Sequence, residues 1–158
     1  MSDRVTVSVI KADVGSVGGH AKPHPLMMRK CDERLADGLS AGIINDYYVT
    51  RVGDDINLFL THNRGENNKD IHGLAWEAFM EATKIAKSMK LYAAGQDLLT
   101  DAFSGNVRGA GPGAAEMEFK ERGAEPMVFF MADKTEPSSY SLPLCRTFMD
   151  PFTTTGLV

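Results

Sequence analysis

Asp54 and Asp55 are adjacent carboxylates at a predicted turn between two apolar runs, residues 43–52 and 56–60. Hard divalent cations take several anionic oxygens, so neighbouring acids at a strand end suit one such ion or a pair of them. Gly53 followed by Asp54 is also good hairpin chemistry, and the pair taken alone favours that reading. Asp13, His20, Gln96 and Asp133 turn it toward the metal if they converge on the same place. Four carboxylates beside an imidazole and an amide repel one another at close range unless a cation joins them. A set dominated by oxygen, with no cysteine pair and no paired histidine spacing, points to Mg²⁺ or Mn²⁺ rather than Zn²⁺. With Arg64, Arg108 and Lys134 as nearby cations, the chemistry would be metal-assisted hydrolysis of a phosphate ester.

Residues 4–11 alternate, with Val5, Val7 and Val9 on one side and Thr6 and Ser8 on the other. That pattern predicts a half-buried strand ending just before Asp13. Gly15, Gly18 and Gly19 then make a loop able to return His20 beside Asp13. Pro25 is a natural first residue for a helix with Met27, Met28, Cys31, Leu35 and Leu39 at helical spacing, weakened by Gly38 and stopped near Gly42. Residues 43–52 and 56–60 form the hairpin arms. Residues 63–68 make a polar turn and cap. Residues 69–90 form the clearest helix, with Leu74, Ala75, Ala78, Phe79 and Ala82 in its apolar stripe. Residues 91–113 are irregular and glycine-rich, as functional loops often are. Residues 115–121 alternate again, and 125–131 read as a buried strand ending at Asp133. The tail, with Pro137, Pro143 and Pro151, has little periodicity, and Cys145 reads as part of a proline-flanked loop.

A strand-helix-strand crossover makes the first two strands run the same way, so their ends share one sheet edge. Asp13 and His20 then lie at the edge that holds Asp54 and Asp55. The long helix returns Gln96 to that edge, and the last strand climbs to it at Asp133. The expected fold class is α/β (α+β), with a mixed sheet and helices on one face, in a single domain over residues 1–158.

The chain has 158 residues, 43% hydrophobic and 24% charged, with net charge −4. That suits a folded core and supplies no basic surface for nucleic acid. No window reaches the ~20 apolar residues of a membrane span. The first residues lack the layout of a signal peptide, so a cytoplasmic protein with free thiols at Cys31 and Cys145 is expected. His24, His62 and His72 are assigned no role. The glycine loop lacks a G-K-[ST] sequence, which excludes a P-loop there.

The blocks at residues 9–16, 52–55, 91–99, 103–109 and 130–137 resemble the archaeal-type bifunctional fructose-1,6-bisphosphate aldolase/phosphatase family, and the likeness spans essentially the whole chain. The resemblance implies a Mg²⁺-dependent enzyme of gluconeogenesis that joins two triose phosphates and then hydrolyses fructose 1,6-bisphosphate. It implies Asp13, His20, Asp54, Asp55, Gln96 and Asp133 as ligands of several Mg²⁺ ions, with Asp13 also the catalytic base. Substrate contacts would come from His20, Tyr92, Gly105, Asn106 and Lys134. The implied architecture is a layered α-β-β-α sandwich in a homo-octamer. Members of that family are more than twice as long, and their Schiff-base lysine, its partner tyrosine and further metal aspartates match nothing here. The reading is therefore a fructose-1,6-bisphosphatase without an aldolase step of its own. The alternative is a non-catalytic metal- and phosphate-binding subunit or fragment.

Overall fold

Among the described residues four strands make a sheet, in the order β2-β3-β1-β4, with β1 at Arg4–Ala12, β2 at Asp46–Val52, β3 at Asp55–His62 and β4 at Gly113–Lys120. The computed structural model describes residues 4–99, 111–120, 123, 127–133, 141–150 and 152. Every neighbouring pair is antiparallel. β1 and β2 do run the same way, as the crossover requires, but β3 lies between them. Their common direction is one of orientation and not of pairing. The fold is α+β, with helices α1 (Pro25–Ser40) and α2 (Lys69–Ser88) accompanying the sheet.

Strand register sets the core. Ile10 opposes Leu58 and Ala12 opposes Ile56, and these residues join Leu60, Met27, Leu35 and Phe79 in one buried cluster. The helices therefore cover the face of β1 that carries Thr6, Ser8, Ile10 and Ala12. Alternation in β1 alone suggests the other face, with its three valines. The helix-facing side wins because Ile10, Ala12 and the β3 leucines supply its apolar surface. Burying each such large side chain contributes about 1.5–3 kcal/mol.

Helices α1 and α2 each begin on a side-chain cap. The His24 imidazole accepts the Leu26 N–H at 3.2 Å, with Pro25 at the first helical position. Asn68 accepts from Asp70 at 3.0 Å and Ile71 at 3.4 Å. Gly38 costs α1 helix propensity, but a Cβ there would meet Leu74 Cδ2 at 2.5 Å. Its place in the sequence is explained by the close approach of α1 to α2.

Thr6 and Ser8 are buried on that same face, and a polar network accompanies them. Ser8 donates to Glu116 at 2.6 Å and accepts from His62 Nε2 at 2.8 Å, while the Arg64 N–H reaches His62 Nδ1 at 3.3 Å. This fixes the neutral tautomer of His62. Burial lowers the His62 pKa from 6.5, outweighing the pull of Glu116. Burial pushes Glu116 up, but hydrogen bonds from Ser8 and Asn67 with the charge of His72 leave it below 4.5. Unfolded His62 thus takes a proton that the folded state refuses. Stability from this source is complete above pH 6.5 and drains as pH falls through the lower folded value. Glu116 adds a second loss below its unfolded value of 4.5. Melting temperature in EDTA is expected to fall from about pH 6.5 downward, with the upper limb absent in His62→Gln. A flat profile between pH 7.5 and 5.5 would contradict this.

The chain divides into two compact units, Met1–Glu125 and Pro126–Val158. The second departs from expectation in three ways. Residues 127–131 form no strand, and Met127, Val128 and Phe129 are exposed. An apolar run fits a strand only where a neighbouring edge receives it, and that partner is not encoded in the run itself. The tail instead holds a helix, α3 (Ser141–Phe148), with Cys145 exposed on it rather than in a loop. Among the described residues no helix is long and apolar enough to cross a membrane.

Candidate metal centre

Three loops meet where β1 ends, where β2 turns into β3 and where the chain leaves α2. The β2–β3 turn is two residues long, since Val52 pairs with Asp55. Gly53 takes φ 60°, the conformation that a glycine-first hairpin turn demands. Such tips usually face water. Here Asp54 is fully buried and accepts a hydrogen bond from His20 Nδ1 at 2.7 Å. Ordinary hairpin chemistry does not account for a buried carboxylate at a turn tip.

Asp13 follows directly on β1 and is 2% exposed. Its Oδ2 lies 3.6 Å from His20 Nδ1 and its Oδ1 accepts the Gly15 N–H at 3.2 Å. His20 holds a left-handed backbone, φ 62°, which a non-glycine residue adopts only when its surroundings impose it. The Ser16 hydroxyl, accepting the His20 N–H at 3.0 Å, is part of that imposition. Ligand atoms of Asp13, His20 and Asp54 all lie within 4.8 Å of one another. Two buried carboxylates and an imidazole at that spacing could hold a divalent cation, the carboxylate oxygens being the donors that suit a hard one.

Tyr92 lies beside His20. Its ring meets the His20 ring edge-on, with centroids 4.6 Å apart. Backbone bonds in both directions between Ser16 and Tyr92 tie the two loops together. Gln96 has an exposed side chain and sits between Gly95, bonded to the Val14 carbonyl, and Asp97, bonded to the Asp13 carbonyl. Asp55 begins β3, nearly buried, and pairs with Lys11 of β1. Asp133 belongs to the second unit and is half-buried there, without the strand expected to lead to it. Gly105, Asn106, Arg108 and Lys134 lie outside the described residues.

Arg64 is a correction. It follows the far end of β3, where it pairs with Asp70 at 2.8 Å and bonds the Ile43 carbonyl. Strand β3 separates it from Asp55, so it is no phosphate contact for this centre.

Two further residues shape the site that sequence pattern does not single out. Asp97 accepts the Asp13 N–H at 2.8 Å and returns its own N–H to the Asp13 carbonyl at 3.0 Å. It clamps the peptide that aims Asp13. Lys11 is the other, placed by strand register beside Asp55. An acid immediately after Gln96 and a lysine two before Asp13 were visible signals, but only the pairing of elements gives either a partner.

The family described as Fructose-1,6-bisphosphatase matches residues 4–158. A protein named fructose-1,6-bisphosphate aldolase/phosphatase from Methanothermobacter marburgensis is 59% identical over 98% of this chain and 42% of its own length. One of the same name from Pyrobaculum neutrophilum is 62% identical over 98% of this chain and 39% of its own. A third, from Thermococcus kodakarensis, is 54% identical over 100% of this chain and 42% of its own. The chain thus spans about two fifths of the length of these curated relatives.

Proposed function

We propose, on the premise that this chain belongs to the fructose-1,6-bisphosphatase family, that it carries the carboxylate half of a Mg²⁺-dependent site hydrolysing fructose 1,6-bisphosphate. The observation behind this is the fully buried Asp54 at a hairpin tip, with Asp13 and His20 against it. Asp13, His20, Asp54 and Asp55 would hold the metal, with Gln96 and Asp133 proposed as further ligands on the strength of the resemblance. Bound Mg²⁺ would neutralise the phosphoryl oxygens and acidify a water.

The chain's own residues do the rest. Asp13, fixed by Gly15 and Asp97, accepts a proton from the attacking water at a carboxylate oxygen. Tyr92, exposed at the rim and packed on His20, contacts the sugar together with that imidazole. Gly105, Asn106 and Lys134 are proposed substrate contacts on the strength of the resemblance. We assign no aldolase step. An imine-forming lysine must be desolvated, and every lysine among the described residues is at least partly exposed. Residues 1–158 are read as the N-terminal part of the family fold.

Phosphate release from fructose 1,6-bisphosphate tests the reading. The full chain is expected to release phosphate with Mg²⁺ and to stop on addition of EDTA. Turnover that persists in EDTA overturns the proposal. Metal binding without turnover favours the second reading, a non-catalytic metal- and phosphate-binding part.

A further inference from the structure

Asp54 and Asp55 are buried neighbours, and each has a basic side chain against it: His20 on Asp54 and Lys11 on Asp55. The second pairing is built by the sheet. Lys11 opposes Asn57 on one side and Gly113 on the other, and a Cβ at position 113 would stand 3.3 Å from the Lys11 Cγ. The absence of a side chain on Gly113 gives the lysine stem its bed. The stem then runs diagonally to the Asp55 carboxylate, which is 5% exposed, while the Lys11 side chain remains 41% exposed. An ammonium in that position is a hydrated, mobile point charge on a flexible stem.

We propose that Lys11 is a built-in counter-ion that sets how strongly this centre takes a divalent cation. It compensates Asp55 when no cation is bound and opposes the cation when one arrives. This rests on the metal reading of the site. Any second positive charge near Asp55 meets the ammonium, either by displacing it toward water or by bearing its repulsion. Both routes weaken cation binding, so removing the charge strengthens it. Lys11 is a positioning residue here, acting through Asp55.

The test is a calorimetric titration of the full chain with Mn²⁺ and with Mg²⁺, beside melting in EDTA. Lys11→Met is expected to bind roughly two- to fivefold more tightly, the scale of a half-exposed charge pair, and to melt lower in EDTA. Lys11→Arg keeps the charge and is expected to behave as the parent in both. A purely structural role would lower stability and affinity together, so the tightening is the discriminating result. If Lys11→Met folds only with metal, competition against a chelator gives its affinity. Unchanged or weaker binding by Lys11→Met overturns the proposal. Asp54→Asn serves as the control for the site itself. If it binds metal as the parent does, the metal reading fails and this inference with it. If it loses binding while Lys11→Met does not tighten, only the counter-ion role fails.

Discussion

Asp54→Asn is expected to weaken Mg²⁺ and Mn²⁺ binding by at least about a hundredfold without lowering the melting temperature in EDTA. Asparagine has the same shape, and its carbonyl oxygen still accepts the His20 hydrogen bond seen at 2.7 Å. What it lacks is the charge. In the metal-free protein that charge is a cost, because Asp54 is fully buried with Asp13 and Asp55 close by. Losing it relieves repulsion, so the fold is retained or strengthened. With a cation present, the same charge is the attraction. Opposite effects on stability and on binding identify a ligand; a residue that merely caps the turn would lose stability and leave binding unchanged. Calorimetric titration with melting in EDTA reads both quantities.

Gly15→Ala is expected to cost about 2–5 kcal/mol and to degrade metal binding as well. Gly15 has φ +128°, a region L side chains rarely adopt. A Cβ there would meet the Ala86 side chain at 2.8 Å and the Ala94 backbone at 3.2 Å. Neither can retreat cheaply, since Ala86 is buried in α2 and Ala94 lies in the loop bonded back to Asp13, Val14 and Ser16 just past β1. The displaced backbone includes the N–H that fixes Asp13 Oδ1. Gly19→Ala is the companion measurement. It also has positive φ, +60°, but nothing within 4 Å, so only the conformational penalty of about 1 kcal/mol applies. Denaturant unfolding of both variants separates the steric part from the backbone part. Equal losses would mean that Gly15 is kept for its dihedral angle alone.

Local pattern made several elements legible. Alternation in residues 56–60, the stripe on α2 and the proline at the start of α1 each follow from the chemistry of a few neighbouring residues. The hairpin at Gly53 is of the same kind. Of the strand expected over residues 125–131, the described residues 127–131 form none for the converse reason, since an apolar run records burial without recording a partner edge. Gly38 shows the same divide on a helix. Propensity makes it a weakness, while contact with Leu74 makes it a requirement.

The sequence by itself determined the residue types of the candidate centre and the edge where Asp13, His20 and Asp54 would meet. Asp13, His20 and Asp54 follow from strand direction, which a single crossover fixes, and their atoms do lie within 4.8 Å of one another. Tertiary structure alone decided that Asp54 is buried, that Asp97 clamps Asp13, that Lys11 compensates Asp55 and that Arg64 stands at the far end of β3. Direction along a strand is a local property of the chain. Register, burial and charge pairing depend on which elements lie side by side, and residues 34 positions apart in sequence, such as His20 and Asp54, become partners only then.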